Sequence, residues 1–367
     1  MSLTKLDIDR FITTLRTKSK EFNSISNIQL ASMLEETISN INEVAYFWAT
    51  ISSDNKGTTK TPAEGEEWVA GPYAAVLATQ YYRDSLINDA DLNESKYNKK
   101  ENSYKVFPNN MIERISFPFV NAKVYFNKTM SFNDINKYRG FSKRYEIDPS
   151  ITLVLGAGNY SSIPYLDVMY HLVTRKSVIL LKLNPVNEYL KPVFEKVFQN
   201  FIERGYIIVT TGNVDESKYM AQHPGVNHIH LTGSDKTYED IVYGRELSDS
   251  DKKLKHLPKI NSKPITSELG NVTPIIIHPG KWSTSDIKYQ ARKIVTGKLN
   301  NNGFNCISAQ VVVLPDGWGH TDTLIKFIKY YMNKVKDRKA YYPDSIERLQ
   351  KLEKDKSYER VNSLSCT

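Results

Sequence analysis

The sequence predicts an α/β protein: a parallel sheet with helices on both faces, preceded by a helical region. Three observations carry that expectation. Four short apolar runs, at 151–155, 177–183, 206–210 and 226–232, alternate with helix-forming stretches over short loops, the grammar of a parallel sheet. Residues 1 to about 90 place apolar side chains at helical spacing instead. The 367 residues are 40% hydrophobic and 25% charged, enough for a sizeable core and too apolar for a disordered chain.

The elements follow in order. Leu6, Ile8, Phe11, Ile12 and Leu15 predict a first helix. Leu30, Met33, Leu34, Ile38, Ile41 and Val44 predict a second between Ile28 and Ile51, and a third runs from Trp68 to Leu86. The polar segment Asp89–Ser103 reads as a surface loop. Residues 110–128 alternate and are rich in aromatic and β-branched side chains, so strands are expected near 112–126. Asp148-Pro149 is turn-like and closes a first region, 1–148.

From Ile151 the strands and helices alternate. The loop GAGNYSSIP follows the first strand, and Pro164 suits the first turn of the next helix. Helices are expected at 187–203, 216–222 and 234–243 between the later strands. A polar, Lys-rich excursion at 244–262 interrupts the alternation and ends a second region, 149–262. The third region, 263–367, holds strands at 273–277 and 309–314, helices near 283–300 and 324–335, the loop NNNGFNC and a polar tail.

Composition excludes several classes. No apolar run approaches the ~20 residues that cross a bilayer, so no membrane association is expected. The start of the chain shows no apolar signal segment, and two cysteines, Cys306 and Cys366, make no disulfide framework. The expected compartment is the cytoplasm. Net charge is +8, but the Lys and Arg are scattered rather than gathered into a stripe, so nucleic acid is not an expected partner. His228 and His230 alternate on one strand without Cys or acidic partners at ligand spacing, so no metal site is expected.

Several residues could do chemistry. Cys306 follows a Gly-containing loop and precedes an apolar strand, where it is either an activated thiol or a buried, inert one. Glu268 ends a strand beside Leu269-Gly270 and reads as a general base or as a surface ion-pair partner. Asn159, in the loop after the first strand, could donate to an oxyanion or make an Asx turn. Gly233-Ser234, between strand and helix, could face an anion or simply cap the helix.

Taken together and in this order, these motifs resemble the aldehyde dehydrogenase superfamily from about Ile151 to Leu314. GAGNYSSIP is similar to the family loop carrying the oxyanion Asn, which implies Asn159. VILLKLNP resembles the strand whose Lys meets the cofactor ribose, implying Lys182. HLTGS resembles the element beneath the pyrophosphate, implying Thr232, Gly233 and Ser234. SELGNVTP resembles L-E-L-G-G-K-x-P, implying Glu268 as the base with Gly270 among the cofactor-binding residues. NNGFNCISA resembles N-x-G-Q-x-C-x-A, implying Cys306 as the nucleophile. The implied fold is a Rossmann-like parallel sheet of the aldehyde dehydrogenase type with an incomplete catalytic domain. The implied activity is NAD- or NADP-dependent oxidation of a small-molecule aldehyde to a carboxylic acid, through a thiohemiacetal and a thioester.

The departures set further expectations. Phe304 replaces the family's Gln, and Asn271-Val272 its Gly-Lys. Pro185 stands where NAD-preferring members often carry Glu, so any preference between NAD and NADP should be weak. The family's E-x-F-G-P motif does not occur after Cys306, and the chain reads as cut short within its catalytic domain. A homo-oligomer or a complementing chain is therefore expected. The competing expectation is a catalytically impaired member that binds nucleotide or another protein.

Overall fold

The computed structural model describes residues 3–87, 92–138, 147–254, 256–335 and 338–354. Helix α1 (Lys5–Ser24) starts at a capping box between Thr4 and Asp7 and buries Ile8, Ile12, Leu15 and Phe22. Helix α2 (Asn27–Lys56) starts at a second capping box, Ser26 with Gln29, and stops at Gly57. That glycine is left-handed, φ 67°, where a side chain would be strained. Helix α3 (Glu64–Trp68) runs through a wide π turn, Val69–Tyr73, into α4 (Ala74–Ile87). Pro72 inside that turn has no N–H to continue an α ladder.

A three-stranded antiparallel sheet follows: β1 (Tyr97–Asn98), β2 (Ser103–Phe107) and β3 (Ala122–Tyr125), in that order. The strands expected near 112–126 are thus only partly present. Met111–Ser116 is a helix, α5, because the Asn110 side chain accepts from the Glu113 N–H at 2.8 Å and opens a helical turn. Helix α6 (Phe132–Tyr138) ends this part.

The central sheet comprises β4 (Ile151–Leu155), β5 (Val178–Lys182), β6 (Ile207–Thr210), β7 (His228–Thr232) and β8 (Ile265–Glu268). All neighbours are parallel, in the order β6-β5-β4-β7-β8. Every residue of β4 and β5 is buried, so helices cover both faces. The helices are α7 (Ile163–Thr174), a 3₁₀ turn Pro185–Leu190 leading into α8 (Lys191–Val197), α9 (Gln199–Glu203), α10 (Val214–Gln222) and α11 (Asp235–Tyr243). Strand β8 pairs Thr232 with Glu268, so the sheet runs past residue 262.

One core extends from Ile8 to Ile241 and unites α1 and α2 with the sheet. Trp48 of α2 meets Phe194 edge-on at 5.5 Å, and Tyr165 stacks on Phe198 at 5.1 Å. A second, smaller cluster forms around Ile277, Ile287, Ala291, Ile294 and Leu324. It joins the parallel pair β9 (Pro274–Ile276) and β10 (Val311–Val313) to α12 (Thr284–Leu299) and α13 (Thr321–Met332). Helix α14 (Ser345–Glu353) lies beyond. Among the described residues no helix is long and apolar enough to cross a membrane, and no metal-holding cluster occurs.

Candidate active site

The connections leaving β4 and β7 diverge, and ligands of open parallel sheets bind where such connections part, at the C-terminal strand ends. The loop after β4 is held close. Gly156 donates to the Lys182 carbonyl at 3.0 Å, and Asn187 Nδ2 donates to the Ala157 carbonyl at 3.0 Å. A Cβ at Gly158 would meet Asn184 Oδ1 at 2.7 Å and the Tyr342 hydroxyl at 2.8 Å, so only glycine fits. The Ser162 N–H donates to the Ala70 carbonyl in the π turn at 3.1 Å, so the N-terminal helices also fix this loop.

Asn159 stands at its tip. Its Nδ2 donates to the Phe304 carbonyl at 3.0 Å, and its Oδ1 accepts from the Tyr160 N–H at 2.9 Å. An amide carries two hydrogens, so one fixes the side chain and one remains to donate elsewhere.

The loop beginning at Asn300 comes from the end of α12. Asn301, Asn302 and Gly303 are left-handed in succession, at φ 51°, 57° and 78°. Asn tolerates that conformation better than most residues, and its surroundings hold it there. Buried Asn301 donates through Nδ2 to the Asn159 carbonyl at 3.0 Å and to Asn305 Oδ1 at 2.9 Å. Its own N–H donates to Glu66 Oε2 at 2.9 Å, and Glu66 in turn pairs with Arg338. Lys56 Nζ donates to Asn301 Oδ1 at 3.0 Å while pairing with Glu67 at 2.9 Å. The Tyr341 hydroxyl reaches the Asn159 carbonyl at 3.1 Å, and Phe304 lies against both Tyr341 and Tyr342. Burial pushes the Tyr341 hydroxyl pKa well above the tyrosine range, so it remains a donor.

Cys306 ends this loop with an exposed side chain, not a buried one. Glu268 lies at the end of β8, exposed, and makes no hydrogen bond or ion pair to a described residue. The structure therefore joins Asn159 to the Cys306 loop but does not tie Glu268 to either. Thr232 turns inward, its hydroxyl donating to Asp167 at 2.9 Å. Gly233 donates to the Glu268 carbonyl at 3.0 Å, and Ser234 caps α11 by accepting from the Thr237 N–H at 3.1 Å. Gly270 borders open space. Lys182 is 6% exposed, and its ammonium has no hydrogen-bond or ion-pair partner among the described residues. Burial pulls its pKa below the lysine range, with Glu188 and Glu216 opposing the shift.

Residues 169–345 match the family described as the aldehyde dehydrogenase family. Just under half of the chain is thus similar to the aldehyde dehydrogenase family. It is 23% identical over 183 residues to an N-succinylglutamate 5-semialdehyde dehydrogenase of Sphingopyxis alaskensis, a match covering 50% of this chain and 34% of that protein. The fold is similar to that of an NADP-dependent glyceraldehyde-3-phosphate dehydrogenase from Bacillus halodurans complexed with NADP. That match has a TM-score of 0.63 and 15% identity, and covers 99% of this chain and 68% of the other. A betaine aldehyde dehydrogenase from Staphylococcus aureus in complex with NAD+ matches with a TM-score of 0.63 at 13% identity, over 96% of this chain and 60% of its own. The chain thus spans about a third of the curated relative and roughly two thirds of these solved structures.

Sequence reasoning missed the polar network behind the Cys306 loop. Lys56, Glu67, Asn301 and Tyr341 come from distant segments, Lys56 and Asn301 lying 245 residues apart and Tyr341 farther still. The Asn-Asn-Asn-Gly run was a local signal of left-handed backbone. Lys56, in the last turn of a helix, carried no such signal. Cys366 lies outside the described residues. Lys182 is largely buried and makes no hydrogen bond or ion pair to a described residue, and Pro185 just beyond it lines a cavity at the C-terminal end of β6.

Proposed function

We propose that this chain catalyses the oxidation of an aldehyde to a carboxylic acid with NAD or NADP, using Cys306 as nucleophile. The observation that carries the reading is the bond from the Asn159 amide to the Phe304 carbonyl, two residues before Cys306. It binds the candidate oxyanion donor to the candidate nucleophile loop at the C-terminal end of the sheet.

The Cys306 sulfur, as thiolate, attacks the aldehyde carbon, and the carbonyl oxygen becomes an alkoxide. The second hydrogen of the Asn159 amide and the Cys306 backbone N–H donate to that oxygen; a donor of this kind contributes about 3–4 kcal/mol. When bound, the nicotinamide cofactor supplies the hydride acceptor for this oxidation. The resulting thioester carbonyl keeps the same two donors. Glu268 takes a proton from water, the hydroxide attacks the thioester, and the Cys306 thiolate leaves as the carboxylic acid forms. Lys182 would hold the cofactor ribose, and the turn Thr232-Gly233-Ser234, with Gly270, would hold the pyrophosphate through its backbone N–H groups.

The test is turnover by the purified chain, followed by the absorbance of reduced nicotinamide in the presence of an aldehyde panel. Asn159→Ala should lower kcat by about 10²–10³ with little change in thermal stability. Turnover that survives both Asn159→Ala and Cys306→Ala would overturn the proposal.

A further inference from the structure

The sheet face that carries Glu268 holds a second polar chain, which the proposed chemistry does not use. Side chains alternate along a strand, so His230 and Thr232 of β7 share a face, as do Thr266 and Glu268 of β8. The register sets His230 opposite Thr266 and Thr232 opposite Glu268. His230 Nδ1 lies 2.8 Å from Thr266 Oγ1, so all four side chains stand on the same face.

Asp167 of α7 packs onto that face. Its Oδ2 accepts from the Thr232 hydroxyl at 2.9 Å, and its Oδ1 lies 3.3 Å from His230 Nε2. Asp167, His230 and Thr232 are each 9% exposed or less, so these contacts are made largely away from competing water. His171, one turn along α7, lays its ring 4.9 Å from that of His230 and closes the other side. A carboxylate, an imidazole and a hydroxyl thus run in series from α7 to β8.

Strand β8 has little else to hold it. It pairs with β7 alone in the described sheet, and Thr266, Ser267 and Glu268 are all exposed, with only Ile265 half-buried. Its orientation therefore depends on the backbone ladder to β7 and on the Thr266 hydroxyl. Helix α7, for its part, begins just after the loop that carries Asn159. Asp167 stands between the helix leaving that loop and the strand that ends in Glu268.

We infer that His230, held by Asp167, is a positioning residue for Glu268: through the Thr266 hydroxyl it fixes the twist of β8, and with it the direction in which the Glu268 carboxylate points. The inference rests on the reading of Glu268 as the base that releases the acyl group. Glu268 acts after hydride transfer, so loosening β8 slows hydrolysis of the thioester and spares the steps before it.

The test is rapid mixing of the full chain with an aldehyde and dinucleotide, comparing the first turnover of reduced nicotinamide with the steady state. The variants are Thr266→Val, Thr266→Ser, His230→Leu and Glu268→Gln. Val fills the space of Thr and suits a strand, so Thr266→Val removes the hydroxyl and keeps the fold. It should hold the first-turnover rate within about twofold and lower the steady-state rate by about tenfold, part of the ~10²–10⁴ that a general base supplies. His230→Leu should slow the same phase, and Thr266→Ser, which keeps the hydroxyl, should run as wild type. Thr266→Val with both phases unchanged, or with both slowed alike, would overturn this inference while leaving Glu268 as the base. A Glu268→Gln variant with the wild-type steady state, or a wild type with no first turnover, would overturn the underlying reading and this inference with it.

Discussion

The ammonium of Lys56 lies 3.0 Å from the side-chain oxygen of Asn301, joining the end of α2 to the loop that carries Cys306. Lys56 and its partner Glu67 are 3% and 2% exposed, so the join is made out of reach of water. Burial pulls the Lys56 pKa down, and the Glu67 carboxylate opposes that shift. The pair therefore fixes a backbone that is left-handed at three successive residues.

Removing one member of such a pair strands the other charge. Lys56→Met should cost about 3–5 kcal/mol in chemical denaturation, whereas Lys56→Met with Glu67→Met together should recover most of that loss. The double variant still lacks the donor to Asn301. Its aldehyde turnover should fall by about tenfold or more, a loss of at least ~1.4 kcal/mol in the barrier, while its melting temperature stays near wild type. A double variant with wild-type turnover would show that the contact is structural alone.

Lys182 should trade stability for binding. Its side chain is largely buried and its ammonium has no partner among the described residues, so Lys182→Met should stabilise the fold by roughly 1 kcal/mol. The same change should weaken dinucleotide affinity by about tenfold. Thermal melts and calorimetry read the two effects, and a destabilised variant with unchanged affinity would contradict both.

His171 should make stability depend on pH. It is 1% exposed, and neither ring nitrogen has a hydrogen-bond partner among the described residues. Burial first, then His230, Arg175 and His228, push its pKa down to about 3. In the unfolded chain it titrates near 6.5, so between these values the unfolded state holds the extra proton. Stability should therefore fall as pH drops below about 6.5, by up to ~1.4 kcal/mol per pH unit from this group. Urea midpoints measured from pH 7 to 5 should fall less steeply in His171→Leu; an identical slope would assign the effect elsewhere.

The outer face of the β9–β10 pair should promote association. Ile276 is 73% exposed and lies opposite Val313, which is 45% exposed. Thr at both positions keeps β-branching while removing apolar surface. Light scattering should show less self-association for Ile276→Thr/Val313→Thr than for wild type, and an unchanged mass would exclude this face.

The parallel sheet was legible because β4 and β5 are buried on both faces and so read as unbroken apolar runs. Helices α1 and α2 were legible from the helical spacing of their apolar residues. Helix α5 was not: Asn110 and Glu113 signalled a helix start, but the aromatic and β-branched side chains around them read as strand. At the site, Asn159 and Cys306 stood out as loop residues beside strands. Their junction did not, because Asn159 meets Phe304 across 145 residues and Tyr341 meets Asn159 across 182. Such contacts are fixed by the packing of the helices, not by local pattern.

The central claim is that Cys306 carries the acyl group and Glu268 releases it. Its most direct test uses Glu268→Gln incubated with an aldehyde and dinucleotide, quenched in acid and mapped by peptide mass spectrometry. The account predicts an acyl adduct on the peptide containing Cys306, absent from Cys306→Ala and short-lived in wild type. An adduct on another residue, or none from a variant that still completes its first hydride transfer, would contradict it.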